Sequence, residues 1–524
     1  MVNGDLDSTL IESLKNPACY PHEAETVRLL ETHISWVLLA GDFAYKIKKP
    51  VDFGFLNFSE LAERQRFCRE ELRLNRRLAP SLYLDVVGMG GSPQQPVFGA
   101  EPAFEYAVKM RRFAEADLLD HVLERGALTR LHLQNLADTL AGFHAGLPPA
   151  EADAGYGDAE AVALPARQNF QQLALLLDRT HDAGLADLQA ASEREYAACR
   201  SLFQQRLLAG KVRECHGDLH LGNIVLLEGQ PTPFDGIEFN PALRWIDVMN
   251  DIAFLLMDLQ QRGRPDLAFA FLDAYLQASG DYAGLGVLRF YLGYRAMVMA
   301  KVGAIRAAQL GGQNGLGQCL RYLALAGRFY EPPKPSLVIT YGLPGCGKTT
   351  VSQLILERFG FIRIRSDVER KRLFGLQPLQ ASGSTSAGGI YSQAATAKTY
   401  RHLLQLAESI LQCGFSVIVD AAFLKQAERR QFRALANRLR IPFAIVAVDI
   451  DEVLQRQRLG RRRNDASEAD NAVLDLLKNA GEPLTAEERD VAAELHNNGA
   501  IEALISQTPA WERLNRLLRR LDAD

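Results

Sequence analysis

The chain is 524 residues long with a formal net charge of −4, which is more than one hydrophobic core usually serves and argues against a broadly basic nucleic-acid or membrane surface. Its 48% hydrophobic and 23% charged residues describe an ordinary globular chain, so two or three domains are expected. No apolar run reaches the length of a membrane span, the first residues lack a basic and apolar leader, and the seven cysteines are scattered without close pairs. A cytoplasmic protein with reduced thiols is the expectation.

Residues 5–34 alternate a helical pattern with breaks at Pro17 and Pro21. A hairpin follows, with strands near 34–42 and 43–50, and alternation in its second strand puts Lys46 and Lys48 on one face, from which a lysine can reach nucleotide phosphates. A Lys-Ile-Lys-Lys run also suits a solvated edge strand, and Lys48 and Lys49 are read that way. Residues 59–78 read as a helix rich in Glu and Arg. Residues 83–87 and 105–110 read as strands around a Gly/Pro-rich turn. From 118 the chain turns helical: 118–125, 129–144, a break at Pro148-Pro149 with an Ala/Gly-rich stretch to Ala163, then 168–177 and 187–208. His144 reads as a packed helix residue.

The stretch His216-Gly217-Asp218-Leu219-His220-Leu221-Gly222-Asn223 then puts a carboxylate, two imidazoles and a carboxamide in one tight loop ahead of the short strand 224–227. Phosphoryl transfer needs an orienting carboxylate at the attacking hydroxyl and an oxygen ligand a few residues on to hold magnesium, and Asp218 and Asn223 have that spacing. Asp235, at the end of a second short strand at 233–236, can supply the other metal-binding carboxylate. The loop resembles the H-G-D-x-H-x-x-N signature of the aminoglycoside phosphotransferase and choline kinase group, a branch of the protein-kinase-like fold. The resemblance spans roughly residues 25–330. It implies an α+β bilobal fold, Asp218 as catalytic base, Asn223 and Asp235 as magnesium ligands, and an ATP site under the first lobe. By the same resemblance Lys46 is the nucleotide lysine and Glu71 its helical partner, with Glu70 as the alternative. A carboxylate at Asp251 would steady the catalytic loop by hydrogen bonding. The Gly-rich loop of protein kinases is missing, since the hairpin carries only Gly41, and this leaves GTP open beside ATP.

Helical patterns at 265–278, 287–306 and 319–330 complete this half, and Glu331-Pro332-Pro333-Lys334-Pro335 forms a stiff linker. The expected domains are therefore 1–330 and 337–524, joined by 331–336.

Beyond the linker, strands and helices alternate. The apolar strand 336–341 runs into Gly342-Leu343-Pro344-Gly345-Cys346-Gly347-Lys348-Thr349-Thr350, which opens a helix. This is the phosphate-binding G-x-x-x-x-G-K-T pattern in its confirming context. Gly342, Gly345 and Gly347 let backbone N–H groups turn onto phosphate, Lys348 reaches the β- and γ-phosphates, Thr349 ligates magnesium and Thr350 continues the site. Strand 361–367 ends in Asp367 with Arg370 about one turn on, and strand 416–420 ends in Asp420, placed on the magnesium water shell. Arg456, Arg458, Arg461, Arg462 and Arg463 crowd the segment after strand 443–448, either as a lid over the transferring group, with Arg461 on the nucleotide, or as a solvated face. Cys346 reads as a small turn residue, with a reactive thiol as the alternative.

This half resembles small P-loop kinases of the gluconate kinase, zeta toxin and polynucleotide 5′-kinase kind, which implies an α/β fold with a parallel sheet. It also implies that Asp367 orients the acceptor hydroxyl and that residues 376–400, with the Gly/Ser-rich and mobile loop 382–389, choose the acceptor. A bifunctional Mg-ATP kinase acting on small-molecule hydroxyls is the expected function. The alternatives are a nucleotide-binding switch or scaffold in one half, or a polynucleotide 5′-hydroxyl or toxin-like kinase in the second.

Overall fold

The computed structural model describes residues 3–52, 54, 56–178, 181–310, 313–384, 388–461 and 466–519. The chain forms two compact units, one of residues 1–258 and 291–326, the other of 259–290 and 327–524. Compactness thus divides the chain differently from the linker: helix Pro265–Ser279, expected to complete the first half, groups with the second unit.

The first unit begins with α1 (Asn3–Leu14) and a six-stranded antiparallel sheet: β1 (Val27–Glu31), β2 (Ser35–Ala40), β3 (Phe43–Lys48), β4 (Tyr83–Ser92), β5 (Gln95–Phe98) and β6 (Glu105–Arg111), in the order β1-β2-β3-β6-β4-β5. The period-2 alternation of β3 decides what each face covers. Tyr45 and Ile47 join Leu10, Leu14, Leu38 and Met89 in one cluster, while Ala44 joins Cys68, Tyr83 and Val108 in another beneath α2 (Leu61–Asn75).

Helices α3 (Leu119–Glu124), α4 (Arg130–Gly146), α5 (Ala159–Leu176) and α6 (Asp182–Leu208) follow. α5 starts well before the expected position: Asp158 caps it by accepting the Ala161 N–H, and burial of Ala163, Ala166 and Phe170 carries it through Pro165. The strand β7 (Val212–Glu214) leads into the loop that bears Asp218. The hairpin of β8 (Ile224–Leu227) and β9 (Gln230–Pro233) then pairs Ile224 with Pro233 and so returns the chain to the same loop. After β10 (Trp245–Asp247), antiparallel to β7, comes α7 (Val248–Gln261), whose Met249, Ile252, Phe254, Leu255 and Leu256 are all buried.

The second unit contains α8 (Pro265–Ser279). The chain then runs through α9 (Leu285–Leu310) and α10 (Gln313–Tyr330) to a five-stranded sheet. Its strands are β11 (Leu337–Tyr341), β12 (Ile362–Arg365), β13 (Val417–Asp420), β14 (Phe443–Asp449) and β15 (Ala492–His496), all parallel, in the order β12-β13-β11-β14-β15. The helices among them that matter for the site are α11 (Lys348–Phe359), α12 (Ser366–Leu373), α13 (Gln393–Gln412), α14 (Gln426–Leu439) and α15 (Glu452–Arg461). A parallel sheet must be covered on both faces, and the continuous apolar runs 337–339 and 417–419 meet that demand. One cover is a cluster of Val351, Ile355, Trp511, Leu514 and their neighbours. The phosphate loop, Asp367, Asp420 and Asn497 all lie at the carboxyl ends of these strands, the edge where ligands sit in open α/β sheets.

Candidate active sites

In the first unit, Lys46 and Lys48 point from β3 toward α2, as alternation requires, and Glu71 receives both: Lys46 Nζ donates to its Oε1 at 2.8 Å and Lys48 Nζ to its Oε2 at 2.7 Å. Lys46 also donates to Asp235 Oδ1, and Lys48 to Glu238. Lys48 is therefore not the solvated edge residue expected from its neighbours. β3 lies between β2 and β6, and the Lys48 side chain is wholly buried between two carboxylates. Lys49 pairs with Glu31 over the ring of Trp36. Glu70, the alternative partner, pairs instead with Arg73 and Arg244. Burial alone would raise the Glu71 carboxyl, but the two lysines outweigh it and hold it at about 2. Burial does prevail at Glu238, whose carboxyl is raised even against Lys48.

The loop bearing Asp218 is held by two aspartates two turns apart on α7. Asp251 accepts the Gly217 N–H at 2.8 Å and the His216 N–H at 3.3 Å, and Asp258 accepts the Leu221 N–H at 3.0 Å. His144 completes Asp251 with a 3.0 Å contact from Nε2. His216 donates from Nε2 to the Phe234 carbonyl and accepts the Asp218 N–H on Nδ1, which is the neutral tautomer; burial lowers its pKa accordingly. Asn223 Nδ2 donates to Asp218 Oδ2 at 2.9 Å, so carboxylate and amide are in contact. Burial would raise the Asp218 carboxyl, yet the His220 imidazole, 3.6 Å away, outweighs it and keeps that carboxyl below its ordinary value.

Asp235 lies just past β9 rather than at its end. It has a left-handed φ of 60°, its N–H reaches the Tyr83 hydroxyl at 3.1 Å, and the Phe234 N–H donates to the Asn223 carbonyl. The hairpin thus brings Asp218, Asn223 and Asp235 to one end, with Lys46 bonded across to Asp235.

In the second unit a cavity of about 870 Å³ is lined by Gly345, Lys348, Thr349, Thr350, Asp367 and Asp420 among others. Gly347 has a φ of +94°, and a Cβ there would come within 1.9 Å of Asn497 Nδ2; at Gly345 a Cβ would press on Leu459 at 2.9 Å. Those glycines let the loop close under Asn497, whose Nδ2 donates to the Cys346 carbonyl at 2.9 Å. Gly342 turns the chain off β11 with its N–H on the Ala422 carbonyl. Lys348 Nζ lies on the loop's own carbonyls, donating to Gly342 O at 2.9 Å and Leu343 O at 3.0 Å. Asp420 is buried and within 3.3 Å of Ser352 Oγ. Asp367 falls in the first turn of α12 instead of ending the strand, because β12 stops at Arg365.

Arg370 lines the cavity, donates to the Ile390 carbonyl and Thr396, and lies over Tyr391. Arg461 does not line it: it is exposed at the end of α15, whereas Arg458, one turn earlier on the same helix, does, beside Asn497 and Gly499. Arg462 and Arg463 lie outside the described residues, as do residues 385–387 of the Gly/Ser-rich loop. The described start of that loop is tied down, since Glu468 accepts from both the N–H and the hydroxyl of Ser382. Cys346 is buried in the turn, and burial raises its thiol even against Lys348. Sequence reasoning passed over Glu238, Asp258, Ser352, Arg363 and Arg365; of these only Asp258, a lone charge in the apolar run of α7 two turns after Asp251, carried a local signal.

A model of the family described as "Phosphotransferase enzyme family" matches residues 55–291, and one described as "AAA domain" matches residues 337–484. The uncharacterized protein Rv2004c of Mycobacterium tuberculosis is 33% identical over 411 residues, 78% of this chain and 80% of that protein. The chain belongs to that protein's family. This member of the family fuses a phosphotransferase domain to a P-loop kinase-like domain, and both support kinase-type phosphoryl transfer. Among solved structures, it is similar to a choline/ethanolamine kinase family protein from Mesorhizobium loti, with 13% identity, a TM-score of 0.38, and cover of 62% of this chain and 95% of that one. It is also similar to a gluconokinase from Sinorhizobium meliloti, with 18% identity, a TM-score of 0.27, and cover of 36% and 97%. No helix among the described residues is long and apolar enough to cross a membrane, and all seven cysteines are free thiols.

Proposed function

We propose that the chain is a bifunctional ATP-dependent phosphotransferase whose modules, 1–330 and 337–524, each move a γ-phosphoryl group to a hydroxyl of a small molecule in the cytoplasm. The observation that carries this reading is the completeness of two separate sets of groups. Asp218, Asn223, Asp235 and Lys46 meet at the end of one hairpin, and Lys348, Thr349, Asp367 and Asp420 line one cavity. The donor chemistry fits magnesium in both: carboxylate and amide oxygens in the first, a hydroxyl and a carboxylate in the second, all hard oxygen ligands. Asn223 with Asp235, and Thr349 with Asp420, would hold the ion; when bound it neutralises charge on the phosphates.

In the first module Lys46, anchored by Glu71, offers its ammonium to phosphate oxygens. Asp218, kept ionised by His220, takes the proton of the acceptor hydroxyl as that oxygen bonds to the γ-phosphorus and the bridge to ADP breaks. In the second, the loop N–H groups and Lys348 hold the phosphates and Asp367 takes the role of Asp218.

The test is magnesium-dependent ATP and GTP turnover by wild type, Asp218→Ala, Lys348→Ala and the double variant, with and without a pool of cell metabolites. Loss of separate fractions of turnover in the single variants is expected, with the Asp218-dependent part falling roughly 10²- to 10⁴-fold. Full activity surviving either substitution would make that module a nucleotide sensor or scaffold and refute bifunctionality.

A further inference from the structure

Arg363 is an unusual residue for an inner face of this sheet. It alternates with the buried Ile362 and Ile364 on β12, and it is itself only 5% exposed. A buried guanidinium requires a counter-charge, and α8 supplies it. Nη2 donates to Asp273 Oδ2 at 2.6 Å and Nε to Oδ1 at 3.2 Å, while Gln277, one turn further along α8, donates to the same Oδ2 at 2.6 Å.

The remaining N–H groups of Arg363 point the other way, into the phosphate-loop helix. Nη1 donates to the Thr349 carbonyl at 3.2 Å and reaches Ser352 Oγ at 3.4 Å. The Ser352 hydroxyl in turn lies 3.0 Å from the Thr349 carbonyl and 3.3 Å from Asp420 Oδ2. Asp273, Arg363, Ser352 and Asp420 are each at most 5% exposed, so these contacts form a buried path that is weakly screened and ends at the cavity.

From this geometry we propose that Asp273 is a positioning residue for the magnesium-nucleotide site of the second unit. It neutralises Arg363 from the far side, so that the Asp420 carboxylate stays available to the metal. The assignment rests on the kinase reading of the P-loop cavity. Arg363 has two carboxylates in its surroundings. Burial disfavours its charge, and Asp273, ahead of Asp420, restores it. Take Asp273 away and the buried cation has Asp420 as its remaining counter-charge, which is the group the metal needs. The positioning carboxylate thus comes from a helix 90 residues before Arg363, inside the stretch matched to the phosphotransferase family.

The experiment is calorimetric titration of the full-length chain with a non-hydrolysable ATP analogue over a series of magnesium concentrations, the second-site signal being the part abolished by Lys348→Ala. Asp273→Asn is expected to raise the magnesium concentration for half-maximal binding at that site roughly tenfold or more, the scale typical of partners that orient metal ligands, and to leave magnesium-free binding unchanged. Asp273→Glu keeps the carboxylate and is expected to stay near wild type. The double variant Asp273→Asn/Arg363→Gln, which removes both charges, is expected to return the magnesium requirement to within about threefold of wild type, a rescue that a purely structural role does not produce.

If Asp273→Asn does not fold, Arg363→Gln carries the test, because removing the competing cation must leave the magnesium requirement equal or lower; a rise of tenfold overturns the proposal. A folded Asp273→Asn variant with an unchanged magnesium requirement also overturns it. If Lys348→Ala leaves the total nucleotide binding at the wild-type level, with no part of the signal lost, the kinase reading of the P-loop cavity fails and the assignment with it.

Discussion

Replacing Lys48 by Met tests the reasoning about the first site most directly, because the side-chain volume is kept while the charge disappears. In the native chain the Lys48 ammonium is wholly buried, 2.7 Å from Glu71 Oε2 and bonded to Glu238. Its loss leaves Glu238 without the bond and Glu71 with Lys46 alone. Breaking a buried pair from one side costs about 3–5 kcal/mol, since the abandoned charge stays desolvated. Read as local opening by hydrogen exchange, that is a roughly 160- to 5,000-fold faster exchange of the amides in β3 and α2. The pH dependence has a definite sign. The Glu238 carboxyl is already raised by burial, with Lys48 the main opposing influence, so removing Lys48 raises it further. A carboxyl whose folded pKa exceeds its unfolded one contributes stability below the unfolded value and loses it as pH rises through the folded value. The exchange deficit of Lys48→Met is therefore largest in alkali and shrinks toward pH 5, and adding Glu238→Gln removes most of that slope. An exchange rate within about tenfold of wild type at pH 8 would refute the view of Lys48 as an essential counter-ion.

Other outcomes follow from geometry already described. Asp251 has its carboxyl lowered to about 2: burial opposes this, and the hydrogen bonds it accepts from His144 and from the Gly217 N–H outweigh it. Its share of stability, about 2 kcal/mol, is present above pH 4 and lost as pH falls toward 2; acid unfolding curves of Asp251→Asn are expected to lack that component and to start from lower stability at neutral pH. Asp258→Ala takes the acceptor from the Leu221 N–H, at a cost of about 1–3 kcal/mol in the loop. Steady-state kinetics of the Asp218-dependent reaction are expected to show a roughly tenfold or greater fall in kcat with KM for ATP little changed. Gly347→Ala forces a Cβ to 1.9 Å from Asn497 Nδ2 at a φ of +94°, so analogue binding at the phosphate loop is expected to weaken more than roughly tenfold while Asp218-dependent turnover persists.

What could be read from the sequence was local. The loop from His216 to Asn223 and the run from Gly342 to Thr350 each pack their chemistry into eight or nine consecutive residues, and the resemblance that the first of them carries points to Glu71, with Glu70 as the alternative, as the helix partner of a strand lysine. What could not be read depends on strand order and on partners far along the chain. Whether Lys48 faces water or a carboxylate turns on whether β3 is an edge strand, and its partner Glu238 is 190 residues away. Arg461 and Arg458 belong to the same arginine-rich helix, and its packing against the phosphate loop, absent from any short window, selects between them. The early start of α5 was hidden because Pro165 resembles a break until the burial of the residues around it is known.

The membership of residues 259–290 in the second unit also has a meaning in time and in descent. Asp273 leaves the ribosome 90 residues before Arg363, and at ordinary rates of synthesis it waits roughly 5–18 s for the strand that needs it. A gene fragment cut at the proline linker would deliver Arg363 into a growing sheet with Asp420 as its remaining counter-charge.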